Sequence, residues 1–345
     1  MRRRSGRHPI RRGGTPKDRR PFSTLGPSAA EEIMAYRIDP RAPVDIALRR
    51  TAQKQIDKAV RDLSGGDEGR HEAVHEARKR LKKLRGLVRL LREADPSFAG
   101  AENARYREAG RTLSGVRDRT ALIEALDGLE GRFAGEVDSP SFAVVRTALE
   151  LKREAAVEAQ GSARDVAAEA LGSLEAGRSR LDALALGQGR RRNRVRVVAG
   201  VEANYRRARR DLAAARASNR AEDFHDLRKR IKYLGMHLKL LEGLWPAALA
   251  PLREEADRAA EALGRDHDYA VLHAEMLADP RSFGARADLD VVLALLDRHQ
   301  AELRAEAAET CGRLLSDKPG AFAARIARLW QLAAKAPDPA APAAP

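Results

Sequence analysis

Residues 74–92 read VHEARKRLKKLRGLVRLLR, and 150 positions later the chain restates them at 224–242 as FHDLRKRIKYLGMHLKLLE. Each copy opens on a histidine followed by basic residues at +3, +4 and +7. These are His75, Arg78, Lys79 and Lys82 in the first copy and His225, Arg228, Lys229 and Lys232 in the second. The same offset pairs Pro96 with Pro246, Leu113 with Leu263, Asp118 with Asp268 and Leu122 with Leu272. A fixed offset held over about 50 residues predicts an internal duplication.

The apolar residues of the first copy are Val74, Ala77, Leu81, Leu84, Val88 and Leu91. Those of the second are Phe224, Leu227, Ile231, Leu234, Leu238 and Leu241. Their alternating spacing of three and four predicts an amphipathic helix with one core-facing seam in each copy. One residue further round the helix runs a parallel cationic stripe. It consists of His75, Arg78, Lys82, Arg85 and Arg89, answered in the second copy by His225, Arg228, Lys232, Gly235 and Lys239. A stripe that flanks a seam is placed to line a groove beside the core.

Like charges three and four residues apart repel on a helix unless they are well solvated or meet an anion. The charge is local. Residues 74–92 hold eight Lys/Arg and one acid, residues 224–242 five and two, and residues 1–20 nine and one. Against a chain total of +15, everything outside these three stretches is net negative. A solvated face would explain one such stripe. Two in register, each headed by a histidine, favour a polyanion site.

The chain of 345 residues is long enough for one large or two medium domains with their own cores. Aromatics make up 4% and runs of β-branched residues are nearly absent, which favours an all-α fold. The single cysteine, Cys311, excludes an intrachain disulfide and a CxxC metal site, and suits a reducing cytoplasm. No apolar run approaches the roughly 18 residues of a membrane span.

Residues 1–32 crowd Arg, Gly, Pro and Ser together and read as a disordered basic arm. Helical patterns follow over about 43–63, the basic helix to 94, 97–113, a fourth helix from Arg117-Asp118, 141–160 and 163–186. The stretch GQGRRRN at 187–193 links the halves. The second half repeats the order over about 194–217, 221–244 and 247–263. Gly264 is expected to break the pattern before a further helix from Asp266, then 286–315 and 320–334. The Pro/Ala end at 336–345 reads as disordered.

Other motifs carry less. His71-Glu72-Ala73-Val74-His75 matches the zinc signature HExxH, but Arg78, Lys79 and Lys82 share the face of His75, and Ala221 replaces His71 in the second copy. His225-Asp226 and His267-Asp268 spell the HD pair of metal-dependent phosphohydrolases, a spelling not kept between the copies. Asp118 and Asp268 are expected to start helices, where a carboxylate stabilises free N–H groups. Phosphate-loop and nucleophile motifs are missing, so no cofactor, metal site or catalytic group is expected.

With LSGVRD at 113–118 and LGRDHD at 263–268, the two basic stretches resemble the conserved-histidine α-helical domain, CHAD, over about residues 40–335. The resemblance implies two pseudo-symmetric helical bundles, 33–187 and 188–335, facing one another across a basic cavity. It also implies a stand-alone module that binds inorganic polyphosphate without hydrolysing it, in the cytoplasm and often on polyphosphate granules. Carried over by position, the implied binders are His75, Arg78, Lys79, Lys82, Lys83, Arg85 and Arg89, with His225, Arg228, Lys229, Lys232 and Lys239 in the second half. Arg49, Arg206 and Arg209 on the first helix of each half are further candidates. Gly235 stands where the family has a basic residue. Two other readings compete: a nucleic-acid binder using the same basic surface, which the scarcity of aromatics disfavours for single strands, and a metal-dependent phosphohydrolase.

Overall fold

Wherever the three–four spacing runs, the chain is helical in the computed structural model, which describes residues 36–65, 70–136, 140–159 and 163–337. The helices are α1 (Val44–Leu63), α2 (Arg70–Leu90), α3 (Pro96–Thr112), α4 (Gly115–Arg132), α5 (Pro140–Ala159) and α6 (Ala163–Asp182). They continue with α7 (Arg190–Ser218), α8 (Ala221–Leu241), α9 (Pro246–Ala278), α10 (Arg286–Leu314) and α11 (Pro319–Ala333). No strand occurs among the described residues, so the protein is all-α. The expected arm at 1–32 and residues 338–345 of the expected tail lie outside the described residues.

One succession of elements occurs twice. A basic 21-residue helix runs into a 3-10 turn, Leu91–Glu93 or Glu242–Leu244, and a proline then opens the next helix. Asp95 caps α3 by accepting the Phe98 N–H at 3.0 Å ahead of Pro96, which needs no partner for a missing N–H. After that the halves diverge. The first half breaks at Leu113-Ser114, between α3 and α4. The second runs straight through Gly264 as the 33-residue α9. The expected stop at Gly264 is therefore corrected. A helical glycine costs only about 1 kcal/mol, and Ala262, Leu263, Asp266 and Tyr269 bury the neighbouring face. Asp268 consequently sits mid-helix, and only Asp118 keeps the expected place in a first turn.

The two seams form the core beneath the basic faces. Ala77, Leu81, Leu84, Val88 and Leu91 are all but inaccessible, as are Leu227, Ile231, Leu234, Leu238 and Leu241. Each large aliphatic chain buried this way contributes about 1.5–3 kcal/mol. α2 packs on α1 and α3, α8 on α7 and α9, and the halves meet where α2 touches α8, α4 touches α9 and α5 touches α10.

The α2–α8 contact is tight at one point. A Cβ on Gly86 would lie 2.7 Å from Met236 Sδ and 3.0 Å from its Cβ, so a side chain there would force Met236 to move. The buried His237 places Nε2 3.1 Å from the Gly86 carbonyl oxygen. The leading segment ties both helices together. Tyr36 donates its hydroxyl to the Lys83 carbonyl at 2.6 Å, the Ile38 N–H donates to the Leu240 carbonyl at 3.0 Å, and Arg37 pairs with Glu242.

Candidate functional site

Because α2 and α8 meet near their C-terminal ends, their N-terminal parts flank a cavity of about 1030 Å³, which α4 and α9 complete. Both cationic stripes line it. α2 contributes His75, Arg78, Lys79, Lys82, Arg85 and Arg89, and α8 contributes His225, Arg228, Lys229 and Lys232. The walls also hold Arg230, Arg265 and His267, and the carboxylates Asp118, Glu124, Asp226, Glu261 and Asp268. Ten Lys/Arg thus face five acids, with three histidines beside them.

Five residues expected from the sequence are not among those lining the cavity. Lys83 is turned away from the stripe, its ammonium 6.0 Å from the Tyr36 ring. Lys239, one turn past Met236 on α8, acts electrostatically on Asp257. Arg49 donates to the carbonyls of Asp182 and Leu184. Arg206 pairs with Glu202, and Arg209 donates to the Asp317 carbonyl at 2.5 Å. In the other direction, Arg230 and Arg265 line the cavity although neither lies on a stripe. The LGRDHD segment at 263–268 carries the only sequence signal for Arg265, and Arg230 has none.

The halves hold their leading arginines differently. Arg78 is tied down. Nη1 donates to the Gly110 carbonyl at 3.2 Å and to Ser114 Oγ at 2.5 Å, and Nη2 reaches Asp118 Oδ1 at 3.3 Å. In α9 the position matching Ser114 is Gly264, so no hydroxyl meets Arg228. Arg228 has no hydrogen-bond or ion-pair partner among the described residues, and its buried Nε is unsatisfied. Burial lowers its pKa, opposed by the charges of Asp268 and Asp266. An unpartnered guanidinium held out of water is costly until an anion meets it.

Beside it His225 and His267 stack, with ring centroids 4.0 Å apart and planes at 30°. Burial, then His225, Arg228, Lys229 and Lys232, push the His267 pKa down to about 4. His225 is lowered by burial and by Lys229 and Arg228, and its buried Nδ1 has no partner. Lys232 falls to about 8, chiefly from burial, then from Arg228 and Lys82. Burial raises Asp268 despite the cations around it. Arg89 lies over the Tyr233 ring at 4.2 Å and donates Nε to Asn103 Oδ1 at 3.2 Å, while the buried Nε of Arg85 is unsatisfied. Several lining cations have carboxylate partners, Lys79 with Glu76, Lys229 with Asp226 and Arg265 with Glu261, whereas buried nitrogens of Arg85, Arg228 and His225 are unsatisfied. With ten Lys/Arg against five acids, the wall favours an anion with several charged oxygens.

Among the described residues no group of three or more His, Cys, Asp or Glu could hold a metal ion. The side chain of His71, first residue of the HExxH match, lies outside the described residues. No described helix is long and apolar enough to cross a membrane.

Fold and cavity together define an all-α protein built around a cationic hollow between four helices. The family model of the CHAD domain matches residues 50–278, from within α1 to the end of α9, and the chain belongs to that family. The match stops short of α10 and α11, although the resemblance read from the sequence runs to about 335. No curated protein and no solved structure matches the chain.

Proposed function

We propose that the protein binds inorganic polyphosphate in the cavity between α2, α4, α8 and α9, without hydrolysing it, and resides on polyphosphate granules in the cytoplasm. CHAD membership fits a link to polyphosphate. The observation that carries the finer reading is the meeting of both stripes at one hollow, with Arg228 Nε and His225 Nδ1 unsatisfied in its wall beside His267. A linear polyphosphate offers one charge and two free oxygens at each repeat, which suits forked guanidinium donors interspersed with ammonium groups. Nucleic acid is the weaker reading. Its single strands need aromatic platforms, and of the two cavity tyrosines Tyr233 is already covered by Arg89 while Tyr269 is buried.

The test is competition of labelled polyphosphate against duplex DNA and RNA at matched phosphate and salt. Polyphosphate is expected to win, with a steep fall of affinity as salt rises. Displacement by DNA mole for mole would overturn the assignment. Incubation with polyphosphate and magnesium is expected to release no free phosphate, and steady release would make the protein an enzyme.

A further inference from the structure

We infer that a second cationic strip, formed by Arg230, Arg207, Arg92 and Arg210, leads out of the cavity across α7 and carries the part of a long polyphosphate that the cavity cannot hold. The inference rests on the reading of the cavity given above and adds selectivity for chain length to it. Arg230 is the junction. It lines the cavity from α8, and its Nε donates to Asp211 Oδ2 on α7 at 2.9 Å. Arg210 holds the other oxygen of the same buried carboxylate through Nε and Nη2, at 2.9 and 2.7 Å. Asp211 therefore fixes two guanidinium groups from two helices but neutralises only one charge.

Arg207, on the turn of α7 before Asp211, is half-buried, with Nη2 3.7 Å from Glu93 Oε1 on the 3-10 turn after α2. Arg92 is exposed on that same turn, which packs against α7, and with Arg230 and Arg210 it crowds Arg207 with like charge. Four arginines share two carboxylates. Arg89, Arg85 and Arg230 all line the cavity, and Arg89 feels the charge of the other two, so the cationic run inside the cavity meets the strip at Arg230. Neighbouring Arg206 and Arg209 take no part, being engaged by Glu202 and the Asp317 carbonyl. Arginines gathered this closely, where local charges are incompletely compensated, gain from a mobile polyanion laid along them.

The experiment compares long-chain polyphosphate with tripolyphosphate, using the full chain. Arg92→Glu/Arg207→Glu is expected to weaken long-chain binding about tenfold and to lower the slope of log affinity against log salt by roughly one to two, because fewer counterions are released. Tripolyphosphate affinity should be unchanged. Arg92→Ala/Arg207→Ala, which brings no new acid near Glu93, should give the same pattern more weakly if the reversed pair perturbs helicity. Equal losses for both ligands, or no loss for the long chain, would overturn the strip. Displacement of long-chain polyphosphate by poly-glutamate as readily as by polyphosphate itself would also overturn it, in favour of an acidic peptide. Arg228→Ala separates the two levels: if it weakens neither ligand, the reading of the cavity falls, whatever the strip variants do.

Discussion

His225 and His267 lie ring against ring, 4.0 Å between centroids, on a wall they share with Arg228, Lys229 and Lys232. Asp226 and Asp268 are the adjacent acids, too few to offset the cations. Both imidazoles are therefore held neutral near pH 7, His267 with its pKa at about 4. A bound polyanion reverses the sign of the local field and raises both pKa values. Binding is thus expected to take up protons, and affinity to climb as pH falls from 7 toward 5. Calorimetry at pH 6 in buffers of different ionisation enthalpy checks this. Zero net uptake would remove the pair from the anion site.

Lys232 sets the alkaline limit. With its pKa at about 8, the free protein loses this charge as pH rises through 8, and binding must then restore the proton. Affinity should fall by up to about tenfold per pH unit above 8. Lys232→Arg keeps its charge there and should flatten the profile between pH 7 and 9. An unchanged profile in that variant would assign the alkaline fall to another group.

His237 works on stability and not on binding. It is fully buried at the α2–α8 contact, and burial pushes its pKa to about 4, below the value near 6.5 of an unfolded chain. A base whose folded pKa is depressed leaves the unfolded state binding more protons as pH drops. Stability is therefore complete above about 6.5 and declines as pH falls from there toward 4. The loss approaches about 3 kcal/mol for this one group. Urea midpoints at pH 7 and pH 4.5 measure it. His237→Gln, which carries no titrating group, should lose less between the two. Equal losses would place the acid sensitivity elsewhere.

The seam and stripe of α2 were legible because spacing alone assigns faces: Leu81 and Leu84 are buried, and Lys82 lies on the cavity wall beside them. That both stripes open on one hollow depends on the approach of Met236 to Gly86, residues 150 positions apart, which no local pattern encodes. Lys239 continues the stripe in sequence yet is not among the residues lining the cavity. Arg230 lies off the stripe and enters the cavity wall while held by Asp211 from another helix. Gly264 looked like a stop because the first half does stop there. In the second half burial on both sides outweighs the weak propensity of glycine.

That substitution gives the most direct test of the asymmetry between Arg78 and Arg228. A Cβ at Gly264 would stand 3.4 Å from Arg228 Nη2, close contact without serious overlap. Gly264→Ser therefore brings a hydroxyl to the place that Ser114 holds beside Arg78. It should stabilise the fold by several tenths of a kcal/mol through helix propensity, with up to about 1 kcal/mol more from the new hydrogen bond. It should also weaken polyphosphate binding several-fold, since a satisfied Arg228 has less to gain from an anion. Arg228→Ala removes the donor altogether and should cost about 10- to 100-fold, the worth of a charge-assisted hydrogen bond. Ser114→Gly should loosen Arg78 and act in the opposite sense to Gly264→Ser. Thermal unfolding and binding isotherms on the three variants decide the matter. If Gly264→Ser raises stability yet leaves affinity untouched, the unpartnered state of Arg228 is not what the anion exploits.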